Sequence, residues 1–390
     1  MIKEEIKIKA LIEKIGLDRM VISNFRIRSL NRTKLTHHDN VTFDIGDAHG
    51  YLLEDGTCFT HLKINDNKLF GSLIAGTHRT RSVKRDYSKM DITIGNSKTG
   101  NLQNLSVAEY KARIRTIFSY IYEEYGLLID TSPTTISTLE INCTFEIDTC
   151  FSEYHRPLRL LMFLLPGYYK KIIEVSKKDT PSLSLESETF YRGNSSMQIK
   201  IYDKKRQLQD TQGYLYDGNI LRIEFVLKTS QKIKEVFGSN SLFDLSDEIV
   251  NEYYIHQFRK LFENKYQKWK KDNGKQLRQK ILEHKKENPI HWQRTLLNEL
   301  RNYEQTKQIP ILLEISDLLA QVKSLDTTGH YKRIEKSILN KCRADDVYLQ
   351  NDAQKITEII SKVENIYKNY VTLSTTTTLP STPCGDKEMC

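Results

Sequence analysis

The octet "LEINCTFE", Leu139 to Glu146, alternates apolar and polar residues without a break. Successive side chains of a strand point to opposite faces, so Leu139, Ile141, Cys143 and Phe145 share one face and Glu140, Asn142, Thr144 and Glu146 the other. A strand of this design belongs to an antiparallel sheet with one face packed on the interior and one face polar. Two further stretches repeat it. In "LRIEFVLK", Leu221 to Lys228, Arg222 and Glu224 stand opposite Ile223, Phe225 and Leu227. In "MQIKIYDK", Met197 to Lys204, the residues Gln198, Lys200, Tyr202 and Lys204 oppose Met197, Ile199 and Ile201, which predicts a tyrosine between two lysines on the wet side of the sheet.

Working outward, residues 18 to 98 alternate short β-rich runs with turn signals, among them an "EDG" hairpin signal. "SVAEYKARIRTIFSYIYEEYG", residues 106 to 126, carries apolar residues at three- and four-residue steps between an N-capping serine and a terminating glycine, and predicts an amphipathic helix. Helices are also expected over Met1 to Gly16, over about 155 to 178, and almost continuously from 230 to 372. "ETFYRG" reads as a strand after a loop ending near Ser187. The fold class expected is α+β, an antiparallel sheet with helices packed on one face, followed by a mainly helical C-terminal domain. The composition shift near 230 suggests an α+β domain over 1–230, a helical DNA- or partner-binding domain over 231–373, and a Thr/Ser-rich disordered tail over 374–390.

With 390 residues the chain can bury sizeable cores. Its 38% hydrophobic and 28% charged residues are those of a soluble protein, and no run reaches the ~20 apolar residues of a membrane helix. The N-terminus lacks the apolar centre of a signal peptide, so a cytoplasmic location and no membrane partner are expected. Six cysteines without paired CxxC spacing read as reduced thiols rather than a zinc site. Fifty-nine Lys and Arg against fifty Asp and Glu, a net charge of +9, favour a polyanionic partner without identifying it.

The polar faces carry the chemistry. Glu140, Glu146 and Glu224, with Asn142 as a weaker ligand, offer hard oxygens to Mg²⁺ or Mn²⁺, beside a strand presenting Lys200, Tyr202 and Lys204. Those are parts of a phosphoryl-transfer site in which a tyrosine oxygen attacks a DNA phosphate, leaving a 5′-phosphotyrosine and a free 3′-hydroxyl. The same alternation also arises for purely structural reasons in any sheet with one open face.

The order "TISTLEINCTFEID", "YRGN…MQIKIYDKKRQL", "LRIEFVLK…FGSNSLFDL" resembles the gene II replication proteins of filamentous phages, and is similar to the replication initiators of staphylococcal-type rolling-circle plasmids. The resemblance spans roughly residues 100 to 245. It implies that Tyr202 is the nicking nucleophile of an origin-specific, metal-dependent endonuclease that nicks and rejoins one DNA strand, and it implies a host helicase and a single-stranded-DNA-binding protein as partners. Two departures stand out. Glu140-Ile141-Asn142 occupies the place where these families often show Arg-x-Asp, and no His-hydrophobic-His pair is present.

For DNA contact the sequence offers Arg192 in the "YRGN" turn, Arg222, and the segment Arg259 to Lys286, where eleven lysines and arginines against three acids flank Lys268, Trp269, Lys270 and Lys271. The run "THRTRSVKR", Thr77 to Arg85, is a further basic stretch. Tyr253 and Tyr254 are rival tyrosines whose apolar neighbours suggest core packing. Two other functions remain open at this point: a non-enzymatic DNA-binding replication or partition factor, and a tyrosine transposase or relaxase.

Overall fold

The computed structural model describes residues 6–7, 13–30, 36–37, 42–45, 48–52, 59–65, 69–79, 84–93, 104–169, 173–175, 189–212, 214–305, 312–327, 329–343 and 351–377. In chain order the strands are β1 (Ile6–Lys7), β2 (Lys14–Ser23), β3 (Arg26–Leu30), β4 (Thr36–His37), β5 (Thr42–Ile45), β6 (Ala48–Leu52), β7 (Phe59–Asn65), β8 (Ser72–Arg79), β9 (Lys84–Thr93), β10 (Leu127–Asp130), β11 (Thr135–Ile147), β12 (Ile173–Val175), β13 (Thr189–Gly193), β14 (Met197–Asp203), β15 (Tyr214–Leu215) and β16 (Asn219–Leu227). The helices are α1 (Val107–Tyr125), α2 (His155–Phe163), α3 (Lys204–Gln212), α4 (Ser230–Phe237), α5 (Asp247–Phe258), α6 (Asn264–Glu287), α7 (Trp292–Gln305), α8 (Ile315–Ser324), α9 (Tyr331–Arg343) and α10 (Asp352–Thr377).

Twelve of the strands form one sheet in the order β12-β13-β14-β16-β11-β2-β9-β8-β7-β6-β5-β4, with every neighbouring pair antiparallel. The β4 to β9 portion is a run of sequential hairpins, and the "EDG" signal falls between the paired β6 and β7, outside the described residues. The long strand β11 lies at the centre, between β16 and β2, as the unbroken alternation of its sequence demands. Its apolar face and those of β14 and β16 are fully buried against α1, α2, α5 and α10 in the main core. A second core joins α6, α7, α8 and α9 through Leu277, Trp292, Leu296, Leu318 and Ile338.

Helix α1 follows its sequence signals closely. Ser106 and Glu109 form a capping box, Gly126 ends the helix in the left-handed region at φ 66°, and the buried residues Val107, Tyr110, Ile114, Ile117 and Ile121 keep the helical period.

Three expectations need correction. Residues 1–16 are not one helix, because Ile6–Lys7 is a strand beside β15 and Lys14–Gly16 begins β2. Ile15 and Leu17 are buried in the sheet core, and that burial outweighs the helical spacing of the flanking charges. The helix expected over 155–178 stops at Phe163, just before Pro166 and Gly167, and Ile173–Val175 instead adds the edge strand β12. At the other end α10 continues to Thr377, four residues past the expected boundary of the tail. Among the described residues no helix is long and apolar enough to cross a membrane.

Candidate functional site

The register of four adjacent strands builds the site. On the polar face Asn142, Glu224, Lys200 and Tyr191 form one row across β11, β16, β14 and β13, and Thr144, Arg222, Tyr202 and Thr189 form the next. Directly opposed side chains on one face lie about 4.5–5.5 Å apart at Cβ. The parity reading of the three polar strands therefore brings its residues into contact, with β13 as a fourth contributor.

A fifth comes from β2. Its pairing with β11 slips between Glu140, opposite Arg19, and Ile141, opposite Leu17, which leaves Asp18 as an extra residue. The bulge exchanges the core-facing parity from Ile15 and Leu17 to Met20 and Ile22. Asp18 is turned toward Arg222, whose Nη1 lies 2.9 Å from its carboxylate.

The polar atoms form a closed network. Arg222 is fully buried; it also donates to Thr144 Oγ1 at 2.7 Å and Asn104 Oδ1 at 3.0 Å, and stands 3.7 Å from Glu224. Lys200 Nζ lies between two carboxylates, 3.1 Å from Glu224 and 3.3 Å from Glu140. The Tyr202 hydroxyl donates to Glu224 at 2.6 Å. Arg19 Nη1 stands 3.5 Å from Glu140, while its Nε and Nη2 donate to Asp91 at 3.0 and 2.5 Å. One carboxylate oxygen each from Asp18, Glu140 and Glu224 lie within 4.8 Å of one another, a set that can hold a metal ion.

A pocket of about 330 Å³ opens on these groups. Its walls are Asp18, Glu140, Glu224, Lys200 and Tyr202, with Thr189 and Tyr191 from β13, and Asp203, Gln207 and Asp210 at and beyond the end of β14. Five carboxylates thus face one lysine. The wet face expected for Tyr202 is in fact covered, because the chain turns into α3 at Lys204, where the Asp203 carboxylate accepts the backbone N–H of Arg206 at 3.0 Å. Tyr202 is left 8% exposed.

Burial sets the ionisation of the site. It pushes the Tyr202 phenol well above its ordinary value, and the neighbouring Glu224 carboxylate adds to this. Burial also raises Glu140, against the opposing attraction of Lys200. For Lys200 burial is unfavourable to the ammonium, but Glu224 and Glu140 outweigh it and hold the proton more tightly than usual.

Lys204 is 3% exposed, and burial, with Arg222 second, lowers it to about 7. Its amine donates to Gln207 Oε1 at 2.8 Å. An unfolded lysine keeps its proton to about pH 10. Between about pH 7 and pH 10 the unfolded chain therefore binds more protons than the folded one, so stability rises with pH across that window, and the penalty is fully present below it. Lys204→Met removes the penalty. The variant is expected to be the more stable form near neutrality and to lose that advantage as pH approaches 10, as read by urea unfolding at both ends; an equal difference at the two ends would refute the assignment.

Other expected site residues lie elsewhere. Glu146 is six residues along β11 from Glu140, about 20 Å at strand rise; its carboxylate accepts the Tyr216 hydroxyl, so it cannot join the metal set. Asn142 is fully buried beneath the pocket, with Oδ1 accepting from Thr144 Oγ1 at 3.2 Å. Arg222 is buried in the network and cannot reach DNA. Arg192 donates to the carbonyls of Met162 and Phe163, where it caps the C-terminal end of α2 instead of clamping a phosphate. The Asn194 amide oxygen Oδ1 accepts Ser196 N at 3.0 Å and Met197 N at 2.8 Å, so the turn of the β13–β14 hairpin begins at Asn194, while Tyr191, Arg192 and Gly193 of "YRGN" belong to strand β13.

On α6 the side chains of Lys268, Lys270 and Lys271 are exposed, while Trp269 is half-buried, stacking on Tyr266 with centroids 5.9 Å apart and packing on the main core. Tyr253 and Tyr254 are buried, as their neighbours suggested. The "THRTRSVKR" run spans the β8–β9 hairpin, with its side chains outside the described residues.

No protein-family model matches the chain, and no curated protein matches it. Among solved structures it is similar to the di-domain ARO/CYC BexL from the BE-7585A biosynthetic pathway, at 6% identity and a TM-score of 0.17, over 61% of this chain and 92% of that one. The di-domain ARO/CYC StfQ from the steffimycin biosynthetic pathway matches at 6% identity and a TM-score of 0.17, over 63% of this chain and 89% of that one.

Proposed function

We propose that this protein is a cytoplasmic, metal-dependent DNA nicking and rejoining enzyme that initiates rolling-circle replication through a phosphotyrosine intermediate. The observation that carries the reading is the meeting of a carboxylate trio, a lysine and tyrosines in one pocket, from strands that also bear the initiator-like motifs. Asp18, Glu140 and Glu224 offer only hard oxygen donors, so the donor set fits Mg²⁺ or Mn²⁺, which would compete there with Arg222, Arg19 and Lys200 for the same carboxylates. Such an ion, when bound, polarises a phosphate and offsets its charge.

The chain's own residues supply the rest. Lys200 neutralises charge on the phosphate side of the pocket, the resemblance assigns Tyr202 as nucleophile, and the exposed lysines of α6 suit contact with the DNA backbone in a salt-dependent manner. Because the phosphodiester energy stays in the protein–DNA bond, rejoining needs no ATP. A host helicase and a single-stranded-DNA-binding protein are the partners this role calls for.

The test is incubation of the full chain with Mn²⁺ or Mg²⁺ and a supercoiled plasmid carrying its coding sequence and flanks. Conversion to the open circle, with protein linked to the 5′ end, is expected. One observation favours a second reading, a DNA-binding factor without catalysis: Lys200, Tyr202 and Arg222 all converge on the Glu224 carboxylate and satisfy it within the fold, as a purely structural network would. That reading requires plasmid binding with no strand cleavage under any metal condition.

A further inference from the structure

We infer that Tyr191 on β13, not Tyr202 on β14, is the residue of this pocket that attacks the DNA phosphate. The inference rests on the nicking function proposed above and changes which side chain carries it. Both tyrosines line the pocket. They differ in what a phosphate can reach. A reacting oxygen must come within about 3–3.5 Å of phosphorus along an open line of approach. Tyr202 is 8% exposed and its hydroxyl is committed to Glu224 at 2.6 Å. To attack, it would have to give up its hydrogen bond and admit a polyanion into the most enclosed part of an acidic site.

Tyr191 meets neither obstacle. It is half-buried, and among the described residues none holds its hydroxyl in a hydrogen bond. Strand parity places it on the polar face with Thr189, and register sets it directly opposite Lys200, with Tyr202 on the diagonal. Lys200 in turn bridges Glu140 and Glu224. Tyr191 therefore stands at the pocket rim, one side chain removed from the carboxylate trio and beside the ammonium that would meet a phosphate.

In the step assigned to it, the Tyr191 oxygen attacks phosphorus in line and the P–O3′ bond breaks. The phenolic proton passes to a pocket carboxylate, the departing 3′ oxygen takes a proton from water, and the phosphate remains esterified to Tyr191 at the 5′ end. Reversal restores the strand.

The experiment traps the covalent adduct of the wild-type full chain on the supercoiled plasmid with Mn²⁺, digests protein and DNA, and locates the phosphotyrosine by mass spectrometry, beside Tyr191→Phe and Tyr202→Phe. A nucleotide remnant on Tyr191, nicking reduced at least 100-fold in Tyr191→Phe, and an adduct still on Tyr191 in Tyr202→Phe are the expected results. A remnant on Tyr202, or wild-type nicking by Tyr191→Phe, overturns the inference and leaves the nicking function standing. Absence of nicking by the wild type overturns both. Adduct mapping on the wild type does not depend on whether either variant folds.

Discussion

Arg222→Leu is expected to lower the unfolding free energy by about 3–5 kcal/mol, the usual cost of removing one partner of a buried ion pair. Arg222 has no exposed surface and serves Asp18, Thr144, Asn104 and, at longer range, Glu224. Leucine fills part of the volume but leaves the nearly buried Glu224 carboxylate beside Asp18 with less compensation, and two neutral acceptors without a donor, each worth about 1–3 kcal/mol. Lysine is not a substitute, because its ammonium cannot present the fork of donors that three strands and Asn104 receive from one guanidinium. The double variant Arg222→Leu/Asp18→Asn should recover about 1 kcal/mol or more, since it removes one of the stranded charges. Urea denaturation followed by circular dichroism measures both. A loss under about 1 kcal/mol for the single variant would mean that Arg222 is not the centre of the network.

The ease with which this network could be read from sequence varied residue by residue. Glu140, Lys200, Tyr202 and Glu224 were found by parity alone, because β11, β14 and β16 are regular and a two-residue period fixes the face of every side chain. Asp18 follows Leu17 onto the polar face by alternation, but its place in the site depends on β2 pairing with β11, a tertiary event that nothing local announces. Glu146 has the right parity but the wrong height, and parity carries no information about distance along a strand. Lys204 has the right spacing but sits past the strand end, where α3 begins.

Tyr191 was within reach of the method. It lies in "ETFYRG", read as a strand, but without a partner register nothing said that its face would meet Lys200. From the sequence Arg192, beside a turn, and Arg222, on a polar strand face, read as DNA contacts, whereas arginines on sheet strands are as readily spent on helix ends and buried carboxylates. The helix α1 was legible to its caps because every signal for it is local, and the helix expected at the N-terminus failed because the decisive contacts of β2 are with β11 and β9.

The second large effect concerns the carboxylate trio. Glu224→Gln is expected to reduce nicking on the order of 100-fold or more, the scale of losing one preorganised charged group from a phosphoryl-transfer site, and to weaken Mn²⁺ binding measured by titration calorimetry. Glu224 is also the acceptor of Tyr202 and a partner of Lys200, so loss of activity alone would not separate a ligand from a structural post. Lys200 separates them. Its ammonium lies between Glu140 and Glu224, where it competes with any added cation for the same oxygens. Lys200→Met should therefore lower stability without metal, by stranding two carboxylates, and at the same time tighten Mn²⁺ binding and enlarge the rise in melting temperature that Mn²⁺ produces. If the trio is only a structural cluster, both variants lose stability and neither changes its response to Mn²⁺. Opposite shifts in metal affinity, down for Glu224→Gln and up for Lys200→Met, would arise only if the ion and the ammonium contend for one place.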